Sequence, residues 1–245
     1  MDLNQELFIG LPRQGPGSNA CTRKALRILA GLPEKPEILD LGCGTGLTSV
    51  QLAHQTGGHV TAVDICKPYL DQLTIYSQLT SLNNRVKPHL GRMEELPFKK
   101  ESFDLVWAEG SIYLLGFKKG LDYWRGFIKK KGFACVSELT WLSNEPPEEP
   151  KRFWKKKYPA MRDIRGNLKL SEEAGYKPVD QYLIPELDWW QNYYGPMERR
   201  IVDLRGQYAA DPDALQTLKE QQEEINLFKE YANTYGYVFY ALQKA

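Results

Sequence analysis

Several things are scarce in this 245-residue chain, and each scarcity narrows what it can be. It lacks a dominant charge: 32 Lys and Arg face 31 Asp and Glu, a formal net charge of +1. A chain so balanced has no electrostatic footprint for a polyanion, which argues against a nucleic-acid partner. It has four cysteines, Cys21, Cys43, Cys66 and Cys135, far apart and without a C-x-x-C pair. That spacing gives neither a disulfide framework nor a zinc knuckle, and fits reduced thiols in a cytoplasmic protein. Its three histidines, His54, His59 and His89, have no Cys or carboxylate partner at ligand spacing, so no metal site is predicted. No run approaches the ~20 apolar residues that cross a bilayer. Met1 to Gly10 has two acidic residues and no basic one, unlike a signal peptide or presequence. There is no internal repeat and no low-complexity tract.

What is present is an alternation of short β-type runs with helical stretches, the pattern of a parallel sheet. Strands are predicted at Glu37–Leu41, His59–Val63 (ending on Asp64), Val86–Leu90, Phe103–Ala108, Phe133–Leu139, Lys177–Leu183 and Gly236–Leu242. Helices are predicted at Thr45–Thr56, Pro68–Leu82, Gly120–Ile128 and Leu168–Ala174. Glu145–Glu149, rich in Pro and Glu, reads as loop. Pro185–Thr234 is polar and helical, too long to be plain loop in a compact domain. The fold class is therefore α/β: a doubly wound, seven-stranded, mostly parallel sheet with an antiparallel last strand. Residues 1–245 form one domain, with 142–166 and 185–234 inserted as a helical cap.

The chemistry concentrates at Ile38 to Gly46, Ile-Leu-Asp-Leu-Gly-Cys-Gly-Thr-Gly. Gly42, Gly44 and Gly46 follow a buried strand and open a helix, so a nucleoside can lie against bare backbone and the N–H groups of a helix start. A dinucleotide loop would read G-x-G-x-x-G. Here the third glycine comes one residue early, at Gly46, and Leu47 stands where that pattern needs glycine. Asp40 would repel a pyrophosphate and attract an ammonium group. Asp64, at the end of the second strand, reaches the same sheet edge and can accept both hydroxyls of a ribose. Ile65 beside it can pack on an adenine face.

These residues resemble motif I and the following acidic position of class I, S-adenosylmethionine-dependent methyltransferases. The likeness runs from about Gly15 to Leu139 and is nearest the small-molecule branch that includes the ubiquinone and menaquinone C-methyltransferases. It implies a Rossmann-like methyltransferase fold, S-adenosylmethionine as cofactor with S-adenosylhomocysteine as product, and a small-molecule methyl acceptor. It also implies cofactor contacts from Asp40, Gly42, Cys43, Gly44, Gly46, Asp64 and Ile65. Gly91-Arg92-Met93-Glu94-Glu95-Leu96-Pro97-Phe98 resembles the family's G-D-A-E-x-L-P-F box, which assigns Met93 and Glu94 to the adenine. Arg92 departs from the usual Asp, so the adenine amino group needs another acceptor. Phe103–Ala108 resembles the motif IV strand, and its exit makes Glu109 and Tyr113 the candidates for catalysis and substrate contact, with Glu109 also near the cofactor.

Other readings stay open. Tyr113 could be core. Arg13 could meet the methionine carboxylate or be a solvated loop residue. Phe153–Tyr158 could bind an anion or be a solvated face, and Trp189 to Tyr194 could pack the cap or line a substrate pocket. Asp104, at the far end of its strand, reads as structural. No N-P-P-Y exit follows strand four, which argues against methylation of base amino groups. A non-catalytic cofactor-binding protein, or an RNA or protein methyltransferase, is the alternative function. The sequence does not decide between a monomer and a homodimer.

Overall fold

The computed structural model describes residues 3–245, so Met1 and Asp2 of the N-terminal segment lie outside the described residues. Its elements run α1 (Leu3–Phe8), α2 (Asn19–Ile28), β1 (Glu37–Leu41), α3 (Leu47–Thr56), β2 (His59–Asp64), α4 (Lys67–Leu79), β3 (Val86–Leu90) and β4 (Phe103–Glu109). Then follow α5 (Phe117–Trp124), β5 (Ile128–Trp141), α6 (Glu148–Lys157), β6 (Arg162–Asp163), α7 (Ile164–Glu173) and β7 (Tyr176–Leu183). The chain ends with α8 (Glu186–Trp189), α9 (Gly195–Gln207), α10 (Pro212–Tyr231) and β8 (Tyr235–Lys244).

The strands form one sheet in the order β3-β2-β1-β4-β5-β8-β7. β1 to β5 are parallel, and β8 runs antiparallel to both β5 and β7. The order reverses between β1 and β4, and the crevice outside the strand ends at such a point is where doubly wound sheets bind ligands. Alternate residues of each strand feed opposite faces. Ile38, Leu105 and Cys135 pack under α2, α3, α4 and the late helices, while Leu39, Val106 and Val136 pack against α5 and α7.

The expected seven strands are present, joined by the two-residue β6 pairing with the end of β5. Pro88 does not disrupt β3, because β3 is an edge strand and proline costs nothing where no neighbour needs its N–H. Two expectations are corrected. β5 starts at Ile128, five residues early, because its Lys129–Lys131 entry is exposed and reads as polar. The segment expected as loop holds the start of α6, whose first turn carries Glu148 and Glu149 where the helix dipole favours anions.

From Glu186 to Gln207 the chain is one helical run with a π-turn at Trp190–Tyr194. The cause is legible in Gly195-Pro196. Proline in a helical run crowds the carbonyl four residues back, and widening the turn relieves it. The widened turn bonds Gly195 N–H to the Trp190 carbonyl, which lies so close that a Cβ on residue 195 would fall 2.4 Å from it.

Candidate active site

The strand ends at the switch point open into a cleft of about 420 Å³. Asp40, Asp64 and Glu109 face it from β1, β2 and β4. A second hollow of about 270 Å³ adjoins it across Gly42, Asp64 and Ile65, and Met93 and Glu94 line its far wall. The cleft thus has two halves divided at the exits of β1 and β2, and together they suit a nucleoside-sized ligand.

Asp64 holds the glycine loop in place. Its Oδ2 accepts the Gly44 N–H at 2.9 Å and its Oδ1 accepts the Cys66 N–H at 2.9 Å. A carboxylate offers about four acceptor sites, so Asp64 can be a turn anchor and a hydroxyl acceptor together. Burial pushes its pKa up. Beside it Ile65 is 67% exposed, an apolar side chain presented at the rim of both halves. Asp40 is buried and accepts a hydrogen bond from the Ser49 hydroxyl at 2.5 Å. Burial first, then the nearby carboxylates of Glu109 and Asp64, push its pKa up to about 7.

The loop is less bare than the sequence suggests. Gly42 and Cys43 both donate to the Val63 carbonyl, at 2.9 and 3.1 Å. Thr45 donates to Gln14 Oε1 at 3.0 Å, and a Cβ on Gly44 would lie 2.2 Å from that same oxygen. Gln14 belongs to the segment before α2, which lies over the loop as a strap. Gly46 is the N-cap of α3 with φ +82, and a Cβ there would meet Leu73 Cδ1 of α4 at 2.1 Å. Its glycine serves helix packing.

Arg13, on the same strap, is buried at the cleft and not a solvated loop residue. It is 7% exposed and its Nη1 donates to Glu109 Oε1 at 2.5 Å and to Thr48 at 3.3 Å. Its Nη2 reaches Asn19, Thr22 and Gln51 at 3.1 to 3.3 Å. Glu109 also accepts from Trp107 Nε1 and the Thr48 hydroxyl, both at 3.3 Å. A carboxylate with this many donors anchors the strap.

Glu94 pairs with Arg92, so the residue that departs from the family pattern occupies the carboxylate proposed to replace it. Met93 is buried, and its carbonyl accepts Trp124 Nε1 at 3.0 Å. Cys43 is buried, and burial pushes its thiol up, so it lines the cleft as a small apolar group. Asp104 stands at the opposite sheet end, accepting from Glu37 N–H at 2.9 Å and Lys129 at 2.8 Å.

Tyr113 is 41% exposed and opens onto both the cleft and a further cavity under α6 and α8 to α10. Its ring meets Tyr158 edge-on with centroids 6.0 Å apart. Burial pushes the phenol up from its ordinary value, so it is a neutral hydrogen-bond donor at physiological pH.

Residues 38–132, the stretch that carries the glycine loop and β1 to β4, match the methyltransferase domain family. The chain carries a methyltransferase domain and is an S-adenosylmethionine-dependent methyltransferase with the class I fold. This methyltransferase is 26% identical to the uncharacterized methyltransferase YodH of Bacillus subtilis, over 91% of its own length and 92% of that protein's. It is 32% identical to (+)-O-methylkolavelool synthase of Herpetosiphon aurantiacus, over 60% of its length and 54% of the synthase. Its fold matches a methyltransferase of Geobacter sulfurreducens solved with S-adenosylhomocysteine at TM-score 0.84 and 17% identity, covering 99% of this chain and 98% of that one. The likeness to that structure carries the fold; the contacts in this methyltransferase's cleft rest on its own residues.

Proposed function

We propose that this methyltransferase carries the methyl group of S-adenosylmethionine to a small-molecule acceptor by in-line displacement. One observation supports it most. The carboxylate-lined cleft meets, at Tyr113, a further cavity of about 240 Å³, a size for a metabolite and not for a polymer.

The cleft fits the cofactor by charge. Three carboxylates face it against one arginine, and that arginine is spent on Glu109. Such a site favours a cationic ligand, and the cofactor carries a sulfonium and an ammonium. Asp64 would hold the ribose hydroxyls and Ile65 one adenine face. Met93 and Glu94 would flank the adenine in the second hollow. Asp40 would meet the ammonium, and Gly42, Cys43 and Gly44 would let the ligand approach backbone. When bound, the cofactor supplies an electrophilic methyl on sulfur. The chain's own part is then to hold the acceptor in line and exclude water, the proximity term that dominates such reactions. Glu109 keeps the strap closed, and Tyr113 donates a hydrogen bond at the junction of cleft and cavity. Residues 142–166 and 185–234 act as a cap on a single domain. Four free, buried thiols support a cytoplasmic setting.

The test is methyl transfer from labelled cofactor to a metabolite extract. Label in a compound of metabolite size supports the reading. Cofactor binding without transfer points to a non-catalytic binding protein, and label in RNA or protein overturns the small-molecule acceptor.

A further inference from the structure

The cavity beyond Tyr113 has a chemistry of its own. Half of the residues that line it are aromatic. Trp189, Tyr193 and Tyr194 come from the π-turn and its flank, Trp154 and Tyr158 from α6 and its end, and Tyr237 from β8. These walls are fixed. Trp189 stacks on Phe228 at 4.0 Å, Tyr193 stacks on Tyr194 at 4.8 Å, and the Tyr194 hydroxyl donates to Glu224 Oε1 at 2.9 Å.

Two acids stand in this aromatic shell, and among the described residues neither forms an ion pair, though Glu224 feels the charge of Lys157. Glu224 of α10 lines the cavity. Glu138 of β5, 1% exposed, lies just behind Tyr158, whose hydroxyl faces its carboxyl; its Oε1 accepts the Leu139 N–H, and its Oε2 is fully buried. The cationic side chain on the wall, Lys157, is already paired with Glu220. A buried acid left without a counter-charge is costly, and such groups concentrate at functional sites. An anionic acceptor would find no free cation on the described walls and would oppose ionisation of both acids. A neutral apolar acceptor would fill the volume and leave both acids unpaired.

We propose that this cavity is the acceptor subsite and that it takes a small amine, held as a cation by the aromatic faces and by Glu224. The proposal rests on the methyl-transfer reading above and names its substrate class. The faces of tyrosine and tryptophan attract an ammonium through their quadrupoles, most strongly where water is excluded. Burial pushes both carboxyls up, Glu138 to about 8, and a cation placed beside them favours their ionised form. In the transfer, the lone pair of the neutral amine nitrogen forms the new N–C bond while the C–S bond breaks and leaves its electrons on sulfur. An amine that arrives protonated first gives that proton to Glu224. Positive charge passes from sulfur to nitrogen, and the aromatic cage stabilises it where it develops.

The test compares choline with 3,3-dimethylbutan-1-ol, the same shape with carbon in place of nitrogen. Each is titrated by calorimetry into the full chain saturated with S-adenosylhomocysteine. Choline should bind roughly tenfold more tightly than the alcohol, the scale of a desolvated cation–π site. Glu224→Gln and, separately, Tyr193→Leu should each shrink that preference while S-adenosylhomocysteine affinity stays at the wild-type value, which also shows that the variants fold. Equal binding of the two probes, no saturation by choline, or a preference untouched by either variant overturns the proposal. If S-adenosylhomocysteine itself fails to bind, it is the methyl-transfer reading that falls; if it binds and choline is not preferred, only the amine subsite does.

Discussion

Replacing Arg13 by methionine should cost this fold more than almost any other single change to a polar residue. The guanidinium is 7% exposed and is the sole basic partner of a Glu109 that is 9% exposed. Removing it leaves a buried carboxylate uncompensated, which costs roughly 3–5 kcal/mol. For a chain of this length each kcal/mol lowers Tm by about 2–4 °C, so R13M should melt roughly 6–20 °C below the wild type. Thermal unfolding followed by circular dichroism reads this directly. The decisive variant is the double one. Glu109→Gln removes the stranded charge, so R13M/E109Q should recover part of the loss, with a coupling of roughly 2 kcal/mol. Strict additivity, or an R13M protein within about 0.5 kcal/mol of wild type, would show that the pair is not the clasp between strap and β4 described above.

Asp40 predicts a pH dependence. Its carboxyl titrates near 7 in the folded chain, above its unfolded value, because burial disfavours the charge. Its contribution to stability is therefore fully present below its unfolded pKa and is lost as pH rises through 7. The ammonium of S-adenosylhomocysteine favours the ionised form of Asp40, so its affinity should rise roughly tenfold from pH 6 to pH 8, and Asp40→Asn should flatten that profile in calorimetry. Gly46→Ala forces a side chain into φ +82 and onto Leu73; it should lose roughly 2–4 kcal/mol in urea unfolding yet keep cofactor affinity, and a large loss of affinity at unchanged stability would contradict the packing role. Asp64→Asn should weaken S-adenosylhomocysteine by at least about tenfold, the scale of one charge-assisted hydrogen bond. Asp104→Asn, at the other end of the sheet, should leave that affinity alone.

The parallel half of the fold was legible because each strand is a short apolar run closed by a turn residue. Glu37–Leu41 and Val86–Leu90 have the bounds the sequence suggests. The cleft was legible for the same reason: Asp40 and Asp64 end neighbouring parallel strands, and that register brings them to one edge. The strap was not. Arg13 and Gln14 sit in a loop with no periodic pattern, and their partners Glu109 and Thr45 lie far along the chain. The aromatic cavity was visible only as a cluster, since packing the cap and lining a pocket demand the same side chains. Gly46 shows the opposite limit. A glycine in a binding motif looks alike whether a ligand or a neighbouring helix needs the space, and here Leu73 needs it.

The most direct test of the account is a crystal structure of the chain saturated with S-adenosylhomocysteine. The account predicts the ribose hydroxyls on the Asp64 carboxylate, the adenine against Ile65 in the hollow lined by Met93, and the sulfur facing the opening at Tyr113. A cofactor product bound elsewhere, or bound here with Asp64 making no contact to the ribose, would contradict it.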